Sequence, residues 1–352
     1  MADLRYDPIN DLWVAVAEVR TERPNEYRPS AEVVPLERCP FCRGHETETP
    51  DPIAESTWDA ATNVLQPVSD GNWAVRVIPN RFPAFDPHLG PVEPIAALDS
   101  DKPGIIVHPF RHARSLHSRQ ELVIESPRHV ESYSQLNETE RLASFFTYRQ
   151  RLQHLRQNRQ LKYVLLFKNC RPNAGASLAH IHSQLFGLDF VPSTVAARQR
   201  RLGRARATPS QWLLKQIADF ELTQETRFVT QGQRWSMFCP YASRFGFQTW
   251  IVPRQNWGPL WEQDDAAIVE LSRLVQTWTQ AVEETIDRPA YNILFHNPLL
   301  RPTSLPGHCY IELFVRIGTM AGFEWGSNCW INTHSPESAA NRLREKFKEC
   351  DW

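Results

Sequence analysis

Glycine is scarce in this sequence, with 14 residues against 27 prolines, and neither GxGxxG nor GxxxxGK[ST] occurs. Without a glycine-rich turn to cradle a diphosphate, the Rossmann and P-loop classes are disfavoured. Surplus charge is missing too: Lys+Arg 39 against Asp+Glu 40 leaves a net charge of -1. No global field therefore draws the chain to nucleic acid or an anionic membrane. Its longest apolar runs are a few residues, far short of the ~20 that span a bilayer. The start, Met1-Ala2-Asp3-Leu4-Arg5-Tyr6, lacks the basic-then-apolar layout of a secretory signal. Seven cysteines, an odd number, are no disulfide framework. The expectation is a cytoplasmic protein with no nucleic-acid or membrane partner.

What is present is enough for two domains, or for one with duplicated parts: 352 residues, 41% hydrophobic, with 12 Trp and 18 Phe. Short strands are predicted at Leu12 to Ala17, Trp73 to Ile78 and Gln120 to Glu125, with a long polar excursion over 43–70. Asn137 followed by Glu140 reads as a capping box opening a helix to about Asn158. Strands over Lys162 to Phe167 and His180 to Phe186 follow. The second half repeats this grammar. Gln248 to Pro253 is a strand, 264–284 a helix, and Tyr291 to Asn297 and Gly307 to Phe314 are strands. Asn169 to His180 is 11 residues, as is Asn297 to His308, so the spacing predicts a duplication. Each unit is an α+β module with an antiparallel sheet, and the two can pair edge to edge. The units are placed at 1–190 and 191–352. Between the halves, Arg198, Arg200, Arg201, Arg204 and Arg206 read first as a solvated helix face, and alternatively as a phosphate-facing surface. Ser335-Pro336 caps a C-terminal helix to about Phe347.

Chemistry concentrates in the first unit. Cys39-Pro40-Phe41-Cys42 suits either a redox dithiol or a zinc site. The following Arg43 to Pro52 is a poor helix, which disfavours the dithiol. A zinc site needs two more ligands; no second C-x-x-C exists, and His129 and His180 at strand ends are the candidates. His180, His182 and Gln184 alternate, so all three side chains project from one strand face. Three polar groups on one face are costly unless that face lines a site. The loop before them, Asn169 to Ser177, is small and polar.

These motifs in this order (Cys-x-x-Cys, a strand-end histidine, Asn-x5-Gly-x-Ser and His-x-His-x-Gln) resemble the galactose-1-phosphate uridylyltransferase family, a branch of the histidine-triad superfamily. Leu4 to Pro8, Trp13-Val14, Arg20 to Pro24, Val75 to Asn80 and Tyr291 to His296 extend the resemblance over nearly the whole chain. It implies two fused histidine-triad-like units and, following the family, a homodimer. It implies one structural zinc on Cys39, Cys42, His129 and His180, and His182 as nucleophile. Arg20, Arg23, Asn80, Asn169, Gly175, Ser177 and Gln184 would contact the nucleotide and its phosphates, and Glu324 the hexose. The implied reaction is ping-pong exchange of UMP between UDP-glucose and a hexose 1-phosphate such as galactose 1-phosphate, through a nucleotidyl-histidine. A neutral imidazole suits that attack near pH 7.

The chain departs from the family in three places. Many members carry a second metal on His-x-x-x-His-x-His plus a glutamate. Here the sequence is His308-Cys309-Tyr310-Ile311-Glu312-Leu313-Phe314, and Arg198 falls near the glutamate position, so no second metal of that kind is expected. Glu312 with His296 or His308 is the weak alternative. Arg81 follows Asn80 where members often have Asp at the ribose. Ser183 and Gly322-Phe323-Glu324-Trp325-Gly326 lean toward the branch handling ADP-glucose by adenylyl transfer or phosphorolysis. A non-catalytic, zinc-ordered nucleotide-binding protein is the reading from another class.

Overall fold

A computed structural model describes residues 3–16, 39–83, 105–108, 111–114, 118–203, 212–301 and 308–349. Its first part contains β1 (Asp3–Asp7), β2 (Leu12–Val16), β3 (Ala54–Asp59), β4 (Val64–Pro67), β5 (Val75–Pro79), β6 (Ile105–His108), β7 (Arg111–Arg114) and β8 (Arg119–Ile124). Then come α1 (Glu138–Gln157), β9 (Tyr163–Cys170), β10 (His182–Leu188), α2 (Ser193–Gly203) and α3 (Leu213–Gln224). The rest is β11 (Phe228–Gln231), β12 (Trp235–Phe238), β13 (Gly246–Pro253), α4 (Asp265–Thr285), β14 (Tyr291–His296), β15 (Tyr310–Val315), α5 (Gly322–Ser327), β16 (Trp330–Asn332) and α6 (Pro336–Lys348).

One 11-stranded sheet runs in the order β11-β12-β13-β15-β14-β9-β10-β8-β5-β3-β4. Every pairing in it is antiparallel. About its centre, β8-β10-β9 mirrors β13-β15-β14, and β9 pairs with β14 to join the units edge to edge. That junction hides two strand edges that would otherwise invite association. The predicted long excursion over 43–70 instead folds into the β3–β4 hairpin. Its polar composition misled: Ser56 and Trp58 alternate inward on β3, and one buried face suffices for a strand.

The capping box forms as read: Asn137 Oδ1 accepts from the Glu140 N–H at 2.9 Å, and Glu140 Oε2 accepts from the Asn137 N–H at 3.0 Å. On α1, Leu142, Phe145, Phe146, Leu152 and Leu155 are buried. With Leu271, Leu274 and Trp278 of α4 they cover one sheet face, against Leu166, Leu185, Ile293 and Ile311. The opposite face is covered over the second unit by α2 and α3, through Leu202, Leu214 and Ala218 on Phe238, Trp250 and Tyr310.

The repeat differs from its sequence appearance by one residue. Opposite Ser183 stands Lys168, whereas opposite Ile311 stands Phe295. Opposite Gln184 stands Phe167, and opposite Glu312 stands Leu294. The matched text Tyr163-x-x-x-Phe167 and Tyr291-x-x-x-Phe295 thus points to opposite faces, because a one-residue slip inverts a strand. His296, paired with Tyr310, and not Asn297, occupies the place that Asn169 holds beside His182.

Candidate active site and metal centre

The Cys39–Cys42 turn is brought against the Ser126–Val130 segment beyond β8 and the residues leading into β10. The Arg43 N–H donates to Pro127 O at 3.0 Å, and the Ile181 N–H to Val130 O at 2.7 Å. Cys39, Cys42, His129 and His180 then offer ligand atoms within 4.8 Å of one another, forming a group able to hold a metal ion. His180 Nδ1 lies 3.5 Å from both sulfurs, and His129 Nδ1 lies 3.4 Å from Cys42 Sγ. His180 Nε2 is 2.8 Å from the carbonyl of Ser126. A carbonyl only accepts, so the proton sits on Nε2 and Nδ1 is left as a donor atom for a cation. Burial holds the His180 imidazole down at about 4, hence neutral. Burial, and then the charge of Cys39, push the Cys42 thiol up to about 12. A cation between the sulfurs removes that penalty.

His180 itself precedes β10, so the alternating run is a strand only from His182 onward. The two rings still share a neighbour: Phe41 meets His180 edge-on at 5.9 Å and His182 at 5.3 Å. His182 Nδ1 lies 2.8 Å from its neighbour's carbonyl, His180 O. The same logic puts the proton on Nδ1 and leaves the Nε2 lone pair unprotonated, on a ring that is buried. Burial lowers the basicity of this ring, keeping it neutral. Gln184, two residues on, is partly exposed on the same face.

The loop after β9 is shaped by two left-handed residues, Arg171 at φ 70° and Gly175 at φ 92°. At Gly175 a Cβ would stand 3.3 Å from Asn169 Nδ2, so the loop closes tightly there. Asn169 Nδ2 donates to Gly175 O at 3.3 Å. Asn292, from the second unit, donates to Asn169 Oδ1 at 2.8 Å and to Ala174 O at 2.9 Å. Gly175 and Ser177 are exposed, and the Gly175 N–H donates to Pro172 O at 2.8 Å, closing the turn.

Beneath the His182 strand lies a polar network that sequence reasoning missed. Lys168 and Glu125 are ion-paired at 1% and 0% side-chain exposure. The Lys168 ammonium donates to the carbonyl of His182 at 2.9 Å. The Glu125 carboxylate also accepts from Ser183 Oγ, from the Tyr148 hydroxyl and, at 3.1 Å, from the Tyr133 hydroxyl. Opposite charge and hydrogen bonds satisfy both buried ions. The available signal was Lys168 directly after the apolar run Tyr163 to Phe167.

Asn80 and Glu324 lie apart from this cluster. Arg20 and Arg23 fall outside the described residues. Asn80 follows β5; its N–H donates to Gln120 O at 2.9 Å and its side chain accepts from the Phe82 N–H at 2.9 Å. Register puts it toward the far end of the sheet from His182, beside Gln120, which pairs with Phe186. Glu324, in α5, lines a cavity of about 600 Å³ with Arg244, Gly246 and His334, none of which belongs to the His182 cluster. Among the described residues no helix is long and apolar enough to cross a membrane.

The chain belongs to the family described as Domain of unknown function (DUF4921), which matches residues 128–351. It is 28% identical to the ADP-glucose phosphorylase of Arabidopsis thaliana, over 97% of this chain and 92% of that one. With the galactose-1-phosphate uridylyltransferase of Thermotoga maritima the identity is 24%, over 98% of each. A solved ADP-glucose phosphorylase from Arabidopsis thaliana with bound ADP-glucose superposes with a TM-score of 0.77 at 25% identity, covering 98% of both chains. The family resemblance drawn from the motifs holds: this is a chain of the galactose-1-phosphate uridylyltransferase and ADP-glucose phosphorylase group of nucleotidyltransferases, with the fused α+β histidine-triad-like architecture.

Proposed function

We propose that this protein transfers a nucleoside monophosphate from a nucleotide sugar to a phosphate-bearing acceptor, with His182 as the nucleophile. The supporting observation is the His182 ring, neutral, with Nδ1–H held by His180 O and Nε2 left unprotonated. Attack on the α-phosphorus forms a P–N bond and expels the sugar 1-phosphate. The acceptor oxygen then takes the nucleotidyl group and frees the imidazole. Gln184 and, in the 172–177 loop, the N–H groups of Asn173 and Ser177 are the donors proposed for the developing phosphoryl charge, with Asn169 ordering that loop. Arg20 and Arg23 remain proposed phosphate contacts, Asn80 a nucleotide contact and Glu324 a hexose contact. Because Glu324 lines another cavity within this chain, a homodimer in which a second copy brings it to His182 is part of the reading. The units are assigned to 1–190 and 191–352.

ADP-glucose is the proposed donor and inorganic phosphate the acceptor, giving glucose 1-phosphate and then ADP. Likeness to the ADP-glucose phosphorylase, in sequence and in fold, supports this over uridylyl exchange. Transfer of UMP between UDP-glucose and galactose 1-phosphate is the second reading, favoured by the motif order shared with that family. Labelling with each donor, radioactive in its α-phosphate, discriminates. The expected result is one label per chain from ADP-glucose, discharged as ADP by phosphate. Label from UDP-glucose alone rejects the adenylyl reading, and none from either rejects the nucleophile.

Zinc is the ion proposed for Cys39, Cys42, His129 and His180. A tetrahedral site with bonds of ~2.3 Å to sulfur and ~2.05 Å to nitrogen sets sulfur and nitrogen about 3.6 Å apart. The close pairs here stand at 3.4–3.5 Å. Bound there, zinc ties the Cys39–Cys42 turn to the residue whose carbonyl orients His182.

A further inference from the structure

The arginine-rich stretch between the units has no part in the proposed reaction, and of its described arginines Arg200 is exposed and Arg201 half-buried, while Arg198 is not solvated. Arg198, on α2, is 9% exposed. It lines a cavity of about 680 Å³ on the second unit with Arg200, Arg201, Arg244, Asp11 and Glu312. Four guanidinium groups thus meet two carboxylates there, a surplus of two positive charges. The further carboxylate felt by Arg198 and Arg244 is Asp7. Asp7 already accepts from the Ile9 N–H at 2.8 Å, the Asn10 N–H at 3.0 Å and the Asn10 side chain at 2.8 Å. Counting it in full still leaves the wall positive. Arg201 is tied to Asp11 at 2.6 Å and Arg244 to Glu312 at 2.8 Å. Arg198 shares Glu312 and Asp7 with Arg244, so the remaining surplus falls chiefly on Arg200. Ser193 and Thr194, the first turn of the 11-residue α2, line the same cavity and add the positive end of the helix dipole.

A second observation specifies the rest of the ligand. His296 lines the cavity, stacks on Tyr310 at 4.3 Å, and lies with Nε2 2.8 Å from Glu312 Oε2. Burial holds its imidazole neutral, at about 4, so the single proton sits on Nε2 against the carboxylate. Nδ1 is then an acceptor, buried and without a partner among the described residues, as is the donor Nε of Arg244. An acceptor beside arginines suits a hydroxyl next to a phosphate. The apolar part of the wall is Leu12, Ala197, Leu294 and Trp330.

We infer that this cavity is a second ligand site, separate from His182, that binds a small sugar phosphate: the phosphate dianion on Arg198, Arg200 and the α2 N-terminus, a hydroxyl on His296. Register makes it the counterpart of the reaction site, since His296, Tyr310 and Glu312 hold the places that Asn169, His182 and Gln184 hold in the first unit. Lacking a nucleophile there, the second unit retains binding alone.

The test is equilibrium dialysis with radiolabelled glucose 6-phosphate, and separately with inorganic phosphate, on wild type, His182→Ala, Arg200→Glu and Arg198→Met. A crystal soaked in tungstate locates the oxyanion by anomalous scattering. Binding that survives His182→Ala and excess ADP, and weakens about tenfold or more in Arg200→Glu, is the expected result, with a tungstate peak against Arg198 and Arg200. Tighter binding of glucose 6-phosphate than of phosphate supports the sugar contact; equal binding rejects it. If ADP displaces the ligand, or Arg200→Glu binds as wild type, the site is rejected. Arg200 is exposed, so this variant decides the matter should Arg198→Met not fold.

Discussion

The two units share a strand order and a pair of covering helices, but what lies under the equivalent strands differs. Under the first unit's β10 stand Lys168, Glu125 and Ser183, a buried ion pair with its hydrogen bonds. At the positions that register makes equivalent, the second unit has Phe295, Pro253 and Ile311. The architecture therefore needs no charge there. A buried ion pair is on balance no more stabilising than well-packed hydrocarbon, so the network's role in the first unit is to fix the His182 backbone. On the other face the comparison reverses. The first unit presents one neutral imidazole and a glutamine, while the second holds Glu312 among His296, Arg244 and Gln248.

The largest expected effect breaks this asymmetry at the reaction centre. His182→Ala should lower turnover by ~10⁴ or more and abolish covalent labelling, with thermal melting little changed. Its counterpart Tyr310→Phe, which removes a buried hydroxyl without a described partner, should melt as wild type and keep its labelling. Equal losses in both variants would reject the division of labour.

Cys39→Ser should remove the metal from the first unit and cost several kcal/mol of stability, because ligation energy contributes to folding. Metal content by mass spectrometry, taken with denaturant midpoints, checks it; a full metal complement in the variant would overturn the ligand set.

Lys168→Met should cost about 3–5 kcal/mol by stranding the Glu125 carboxylate. Adding Glu125→Leu should recover most of that stability but not the rate, leaving kcat about tenfold or more below wild type with KM little changed. Recovery of kcat along with stability would make the network merely structural.

Acid should act through both units, because burial lowers His180 and His182 in the first as it lowers His296 and His308 in the second. His296 has its folded value near 4, against an ordinary 6.5. As pH falls from about 6.5 toward 4 the unfolded chain takes up a proton that the folded chain refuses, and stability is lost in that window, on the order of 2–3 kcal/mol. Glu312, held low chiefly by Arg244 against its burial, contributes stability above the ordinary carboxylate range that is lost only at lower pH. His296→Gln should remove its share of that slope in urea melts taken across pH, leaving the part due to His180, His182 and His308; an unchanged slope would reject the assignment.

The smallest expected effect is at the seam between units. Asn292→Ala should loosen the 171–177 loop by removing two hydrogen bonds, costing about 1–2 kcal/mol and raising KM for the nucleotide sugar several-fold. An unchanged KM would mean the loop is held without help from the second unit.

Local elements and the members of the candidate metal group were legible before folding is considered. A capping box, a proline after a serine cap and alternating apolar residues act within a few positions, so Asn137, Ser335 and β13 were legible. Cys39 and Cys42 stood out as a C-x-x-C, and His129 and His180 joined them as strand-end candidates that the family resemblance picks out of twelve histidines. Three other features depend on the assembled fold. Hydrophobic text matched β9 to β14 at the wrong register, because composition reports that residues are apolar and not which face they take. The Lys168–Glu125 pair, 43 residues apart, and the Arg198 cavity are meetings of distant segments across a sheet. Whether a charge is solvated or buried depends on what packs over it, and that is settled by the whole chain's folding rather than by its neighbours in sequence.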